Sequence, residues 1–259
     1  MDATASAGPG VRLNVRRVPF DQPWQWMAAG WRDLWSAPGV GLTFGFVFSA
    51  AALSIVWGLS QVGLQSLFLA LAGGFMLVGP LMAVGLYETS RRLQNGEPAT
   101  LGHALSAVGH LREQLAFMGV ILLLAYLIWV LIALALFILF MGQNGLPEVD
   151  RFVHQLLFSP RGLALLVVGT MAGALLATIV FSVSAIAVPL LMTKRIDAVT
   201  AMSVSVRACL ENPKPMALWA ALIAAAMACG FATLFAGLVV AFPLVGHATW
   251  HAYRDLVGE

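Results

Sequence analysis

Charge is scarce in this 259-residue chain: only 10% of its residues are Asp, Glu, Lys or Arg, whereas 60% are hydrophobic. Soluble domains carry roughly 25% charged residues, and a soluble fold of this size could not bury so much apolar surface. The composition therefore excludes an ordinary soluble enzyme or binding domain. The formal net charge of +2 is also too small to favour nucleic acid as a partner.

Cysteines and recognisable chemical motifs are also scarce. The two cysteines form no CxxC pair, so neither a disulfide framework nor a cysteine-based metal site is predicted. The sequence has no phosphate-binding loop, no GxSxG and no HExxH motif. No charged residue lies deep in an apolar run, although ion-coupled transporters usually keep such groups there. We therefore expect no enzymatic activity and no cofactor.

Long apolar runs dominate the chain instead. A hydrocarbon core about 30 Å thick needs roughly 20 apolar residues in a helix, and residues 41–60 meet this length alone. About six such runs predict an all-α, polytopic membrane helix bundle. The predicted transmembrane helices cover about residues 39–60, 65–87, 115–141, 162–190, 215–235 and 238–255. We expect residues 1–20 to form a disordered cytoplasmic tail and residues 21–259 a single six-span membrane domain.

The basic residues between these runs predict the orientation of the protein. With six spans, twelve of the fourteen Lys and Arg residues fall on one side, and only Arg151 and Arg161 fall on the other. The positive-inside rule places the richer side in the cytoplasm. We therefore expect a multi-pass protein of the plasma membrane with both termini in the cytoplasm.

Three amphipathic segments lie beside the predicted spans. Their apolar stripes are Trp24, Met27, Trp31, Leu34 and Trp35 in the first segment, Leu101, Leu105 and Val108 in the second, and Met202, Val206, Cys209 and Leu210 in the third. Trp24, Trp31 and Trp35 are predicted interfacial anchors, because indole is apolar with one polar N–H. Asp197 is a predicted N-cap for the third segment.

The sequence also predicts an internal repeat. Each amphipathic segment precedes a pair of apolar runs, and the second run of each pair contains a Pro-Leu pair, at Pro80, Pro189 and Pro243. In the first and third pairs an arginine follows the proline by eleven residues. We expect pseudo-repeats of interfacial helix plus hairpin at about residues 22–93, 99–195 and 197–256. A proline inside a span permits a kink, so these three prolines are predicted helix kinks.

Three stretches carry a resemblance to a known family: GPLMAVGLYETSRRLQNGEP, DAVTAMSVSVRACLENP and FPLVGHATWHAYRDL. They resemble a bacterial integral membrane family catalogued as domain of unknown function 2189, over about residues 20–256. The resemblance implies a bacterial inner membrane protein without an established activity. It supplies no catalytic residues.

His247 and His251 are the strongest candidates for a binding site. They are four residues apart in a predicted helix, so both imidazoles point to one face, at a spacing that a metal ion or haem could use. No third ligand is nearby in the sequence. The alternative is that the two histidines tie the sixth helix to the cytoplasmic helices.

A second group of candidates, Tyr87, Glu88 and Arg92, lies at the end of the second predicted span. A Glu88–Arg92 ion pair at i,i+4 is the simpler interpretation. The alternative is a polar cytoplasmic mouth that closes against His247, since pseudo-symmetry would bring the ends of the second and sixth helices together.

Three functions fit these features. The first is a non-enzymatic membrane scaffold, assembly or accessory protein, with the lipid bilayer and other inner-membrane proteins as partners and no nucleic acid. The alternative is a carrier or channel for a lipid or weakly polar solute, as repeats are common in transporters. The second alternative is metal or haem binding through His247 and His251.

Overall fold

Helices account for almost all of the described chain. A computed structural model describes residues 14–63, 71, 74, 76–109, 113–142 and 149–257, and these residues contain no β-strand. The helices are α1 (Gln22–Ser36), α2 (Pro38–Gln61), α3 (Gly79–Met82), α4 (Val84–Gln94), α5 (Leu101–Gly109), α6 (Glu113–Met141), α7 (Val149–Phe158), α8 (Pro160–Ser184), α9 (Ala187–Thr193), α10 (Ala198–Glu211), α11 (Pro213–Ala232) and α12 (Leu238–Leu256). The prediction of an all-α membrane protein is confirmed.

Four segments of the described chain are long and apolar enough to cross a membrane: α2, α6, α8 together with α9, and α11. They coincide with the first, third, fourth and fifth predicted spans. Much of the second predicted span lies outside the described residues, and its described part is interrupted at Ala83. The sixth is helical as α12, but its second half carries His247, His251 and Arg254. The six-span count is therefore not confirmed.

The three repeat prolines occupy different helical environments. Pro80 and Pro189 lie in the first turns of α3 and α9, each after an interruption of the helix. A first-turn proline needs no N–H donor. Pro243 lies inside the continuous helix α12. At two of the three positions the structure thus has a helix break where the sequence predicted a kink.

Helix α12 forms the centre of the bundle. It packs against α1, α2, α4 and α11, and most of its residues from Phe242 to Leu256 are buried. Glycines permit the closest approaches: Gly30 of α1 lies against the backbone of Ala248, and Gly45 of α2 lies against the carbonyl of Val239. Because proline has no N–H, Pro243 cannot donate the usual helical hydrogen bond to the Val239 carbonyl, four residues earlier. The backbone of α2 comes close to α12 at this same carbonyl.

The apolar stripe of α1 divides between two faces. Leu34 is fully buried together with Trp26, on the face that packs into the bundle, whereas Trp24, Trp31 and Trp35 are about half exposed. The prediction that Leu34 shares a face with the three exposed tryptophans is therefore wrong. The three tryptophans themselves are free to contact lipid, as interfacial residues do.

The other two amphipathic helices pack through small residues. In α5, Ala104 is buried while Leu105 is exposed; in α10, Ala201 and Ala208 are buried while Leu210 is exposed. Small side chains let helices approach closely, so the larger apolar residues remain on the outer side. The Asp197 N-cap is confirmed, because its carboxylate accepts a hydrogen bond from the Thr200 N–H.

The described chain begins inside the predicted disordered tail. Arg16 N–H donates to the carbonyl of Leu256 at 2.8 Å. The Asn212 side chain accepts from Val18 N–H at 2.9 Å and donates to the carbonyl of Arg16 at 3.0 Å. Ordered contacts therefore start before α1 and connect the amino-terminal segment to the end of α12 and to the α10–α11 corner.

Candidate functional site

The candidate site is centred on the polar side chains in the carboxyl-terminal half of α12. We call this group and its partners the α12 junction. Its members are Gln22, Trp26 and Asp33 of α1, Ser90 and Gln94 of α4, and His247, Trp250, His251 and Asp255 of α12.

His247 is a fully buried polar residue of the junction. Its side chain has no exposed surface, and its Nδ1 lies 2.8 Å from Oγ of Ser90, which is also fully buried. The other ring nitrogen, Nε2, has no hydrogen-bond partner within the described residues and faces the α2 backbone at Gly41. The ends of the second and sixth predicted helices therefore lie together here, as pseudo-symmetry suggested.

His251 points to a different helix. Its Nε2 lies 2.8 Å from a carboxylate oxygen of Asp33 on α1, and both side chains are mostly buried. His247 and His251 thus have separate partners on α4 and α1. Among the described residues, no group of three or more His, Cys, Asp and Glu could hold a metal ion. The geometry adds nothing to the metal or haem interpretation and agrees with a role in tying helices together.

Two further residues of α12 complete the junction. Asp255 accepts hydrogen bonds at 2.7 Å from both Gln22 Nε2 and Trp26 Nε1, and Trp250 Nε1 donates to Gln94 Oε1 at 3.1 Å. The sequence patterns considered above did not point to Asp255 or Trp250. The signal was present, because His247, His251 and Asp255 are spaced i, i+4, i+8 and so form one polar stripe along the helix.

Glu88 pairs mainly with Arg91. The guanidinium of Arg91 donates two hydrogen bonds of 2.8 Å to the Glu88 carboxylate, which raises the pKa of Arg91. Arg92 is 3.7 Å from Glu88 and lies nearer to Glu97, at 3.2 Å. The predicted Glu88–Arg92 pair is therefore the weaker of two contacts. Tyr87 is buried in the core beside them.

Chemically, the junction is suited to holding helices together. Ser90 has the hydroxyl of a nucleophile and a histidine beside it, but its burial leaves no approach for a substrate. The donors of Gln22, Trp26 and Trp250 are bound to acceptors of the same chain. Buried polar groups that satisfy one another fix a unique arrangement of helices.

A separate apolar groove lies on the outer side of α2. It has a volume of about 420 Å³ and is lined by Pro38, Gly39, Leu42, Thr43, Phe46 and Val239. The groove is open and mostly apolar, and it does not include the α12 junction.

Comparison with known proteins places the chain in a family. No curated protein and no solved structure matches it. A family described as a predicted integral membrane protein, domain of unknown function 2189 (DUF2189), matches residues 67–193, about half of the chain. The match includes the Tyr87–Arg92 region and helices α4 to α9. The chain belongs to this integral membrane family.

Proposed function

We propose that the protein is a non-enzymatic membrane scaffold, assembly or accessory protein. The supporting observation is the exposure of α6 and α8, the two most apolar of the four described segments that could cross a membrane. Only 11% of the most apolar stretch of α6 and 6% of that of α8 is buried inside the chain, compared with 33% for α2 and 28% for α11. These two helices offer long apolar surfaces to the helices of another membrane protein.

The α12 junction supports the same proposal. A carrier needs a polar or apolar chamber that opens and closes, whereas His247, His251 and Asp255 are bound to neighbouring helices of the same chain. Such a bonded core is suited to presenting fixed helix surfaces. Packing and hydrogen bonding between helices drive association in the membrane.

Site-specific photocrosslinking tests this proposal. A photoreactive phenylalanine analogue replaces Leu131 of α6 or Met171 of α8, which are 66% and 67% exposed, with Phe46 of α2, 65% exposed, as the matched control. We expect the first two positions to capture the same membrane protein in native membranes, and Phe46 to capture only lipid. Lipid adducts alone at all three positions would contradict a scaffold role for α6 and α8.

A lipid carrier is the second candidate, and the apolar groove beside α2, lined by Pro38 and Val239 among others, favours it. An apolar groove of about 420 Å³ could hold part of an acyl chain. Flux of fluorescent lipids in reconstituted liposomes tests this function, with Thr43→Trp as the variant that fills the groove. Transport that this variant abolishes would favour the carrier over the scaffold.

We also propose an inner-membrane location in a bacterium with both termini in the cytoplasm. The orientation rests on the twelve-to-two distribution of basic residues that the six predicted spans give. A carboxyl-terminal fluorescent protein should fluoresce, and a carboxyl-terminal alkaline phosphatase should be inactive. The opposite pattern would reverse the orientation.

A further inference from the structure

Helix α12 pairs with only half of α2. Ser49 Oγ donates to the carbonyl of Phe235 at 2.8 Å. Gly45 lies against Val239, and Gly41 lies near Pro243. The paired residue numbers rise along α2 as they fall along α12, so the helices are antiparallel with one constant register. The turn before α12 therefore lies beside Ser49, in the middle of α2.

The remaining half of α2 continues past this turn. Residues 50–61 add about 18 Å of helix at 1.5 Å per residue. They carry no charge, and their polar side chains are Ser54, Ser60 and Gln61, so they belong in the hydrocarbon. If α2 crosses the core from Gly41 to Gln61, the turn lies about 12 Å inside it, close to its middle.

The other half of α12 lies on the opposite side of Gly41, among α1 and α4, which are too short to span the core by themselves. Asp255 and His251 contact α1, Trp250 contacts α4, and Leu256 contacts the amino-terminal segment. Helix α11 begins in the same layer, because its Trp219 packs edge-on against Trp26 of α1 at 5.7 Å between ring centroids. Much of α11 and much of α12 therefore lie beyond the Gly41 end of α2, in the layer of α1, rather than beside α2.

The turn between α11 and α12 has the composition of a segment in lipid. Residues 215–246 contain no Asp, Glu, Lys, Arg or His, and the turn itself reads TLFAG. By contrast, the connection between α6 and α7 includes Gln143, Asn144 and Glu148. A turn at the membrane surface commonly carries such polar residues, because water contacts it.

Most N–H groups of the turn have partners within the protein. The N–H groups of Thr233, Leu234, Ala236 and Leu238 donate to nearby carbonyls, and Gly237 N–H donates to the Thr233 hydroxyl at 2.8 Å. Irregular backbone is tolerated at membrane depth only when its polar groups have such partners.

We propose that α11 and α12 form a re-entrant hairpin, which enters the bilayer from the α1 side, turns at residues 233–237 and returns without crossing. Its tip then binds lipid acyl chains near the bilayer midplane. Leu234 is the tip residue: it is 83% exposed and adopts a left-handed conformation with φ 51°, so its side chain points away from the hairpin core. The proposal leaves the orientation of both termini unchanged, because a re-entrant hairpin and a complete pair of spans end on the same side.

Depth measurement by spin labelling tests the proposal. Leu234→Cys is made in a Cys209→Ala, Cys229→Ala background, labelled with a nitroxide and reconstituted in lipid nanodiscs. Val47→Cys and Gln61→Cys calibrate depth, because both α2 residues are exposed. Val47 lies near the level of the turn, and Gln61 lies at the far end of α2. Collision with oxygen reports apolar lipid, and collision with a water-soluble nickel complex reports water.

We expect the Leu234 label to match Val47, with strong oxygen collision and loss of the nickel collision that Gln61 retains. Nickel collision at Leu234 equal to that at Gln61 would place the turn at the far surface and overturn the proposal. Collision with neither reagent would mean that protein, rather than acyl chains, covers the tip, which would also overturn it. A monodisperse gel-filtration peak for each variant shows that it is folded.

Discussion

At the scale of single residues, the strongest constraints are buried hydrogen bonds between distant parts of the chain. Ser90 and His247 are 157 positions apart, and Ser49 and Phe235 are 186 apart. A buried polar group that loses its partner costs about 1–3 kcal/mol, so each contact selects one arrangement of helices. Serines that bond back to their own helix have no such effect, and they provide natural controls.

Ser90→Ala should destabilise the protein by about 1–3 kcal/mol, because it leaves both nitrogens of the buried His247 ring without partners. Ser184→Ala is the control: Ser184 is equally buried, but its hydroxyl bonds to Val180 of its own helix. Equilibrium unfolding in mixed micelles measures both variants. Equal losses of stability would show that the Ser90–His247 contact adds nothing beyond the serine itself.

Ser49→Ala should destabilise by about 0.5–1.5 kcal/mol, the net value of one hydrogen bond, since the carbonyl of Phe235 loses its donor from α2 but keeps the Leu238 N–H. Ser54 lies about one and a half turns beyond Ser49 in α2. The control variant Ser54→Ala removes only a hydrogen bond to the Ala50 carbonyl of the same helix. The same unfolding assay compares them. A Ser54 variant as unstable as the Ser49 variant would argue against the pairing of α2 with the α11–α12 turn.

At the scale of the helices, close backbone approach and capping decide how the elements fit. The glycines of α2 differ in their surroundings: a side chain at Gly45 would collide with the backbone of Val239, whereas Gly58 faces open space. The amphipathic helices α5 and α10 follow the same rule, because they pack through small residues such as Ala104 and Ala208. Leu105 and Leu210 are left for the outer surface.

Gly45→Ala should destabilise by about 1–3 kcal/mol through overpacking against α12. Gly58→Ala should be neutral or stabilising by up to about 1 kcal/mol, because alanine favours a helix over glycine and meets no neighbour. Apparent melting temperatures in one detergent rank the two variants. Tolerance of alanine at Gly45 would mean that α2 and α12 are further apart than described.

The cap of α10 should depend on pH. Hydrogen bonds from Thr200 lower the pKa of Asp197 below its ordinary value. The cap is therefore fully formed above about pH 4, the pKa of an unfolded aspartate, and is lost as pH falls through the lower folded value. Hydrogen exchange of the first turn of α10 should quicken at low pH relative to Asp197→Asn, which cannot ionise. Identical pH profiles for the two proteins would contradict this cap.

At the scale of the whole molecule, composition alone was enough to predict an all-α membrane protein, because hydrocarbon demands long apolar helices. The candidate site was predicted only in part. The sequence pointed to His247 and His251 but not to Ser90 or Asp33, since their pairing depends on the packing of helices far apart in the chain. The count of spans was uncertain for a related reason: α12 is apolar at one end and polar at the other, and only its contacts show that the polar end lies among α1 and α4.

Glycine packing illustrates the same limit. Gly85 and Gly173 both contact aromatic side chains of neighbouring helices, Phe44 and Trp129, whereas Gly169 faces open space. All three glycines occur in similar apolar sequence. Small residues indicate where helices can approach, but the choice among them depends on the three-dimensional arrangement.

Native mass spectrometry of the tagged protein, extracted from its own membranes in a mild detergent, tests the scaffold role most directly. We expect a second membrane protein at fixed stoichiometry. It should be lost when exposed residues of α6 and α8 such as Leu131 and Met171 are changed to tryptophan, and retained when Phe46 is changed. The chain alone, carrying only lipid under every mild condition, would contradict the scaffold and bring the lipid carrier forward.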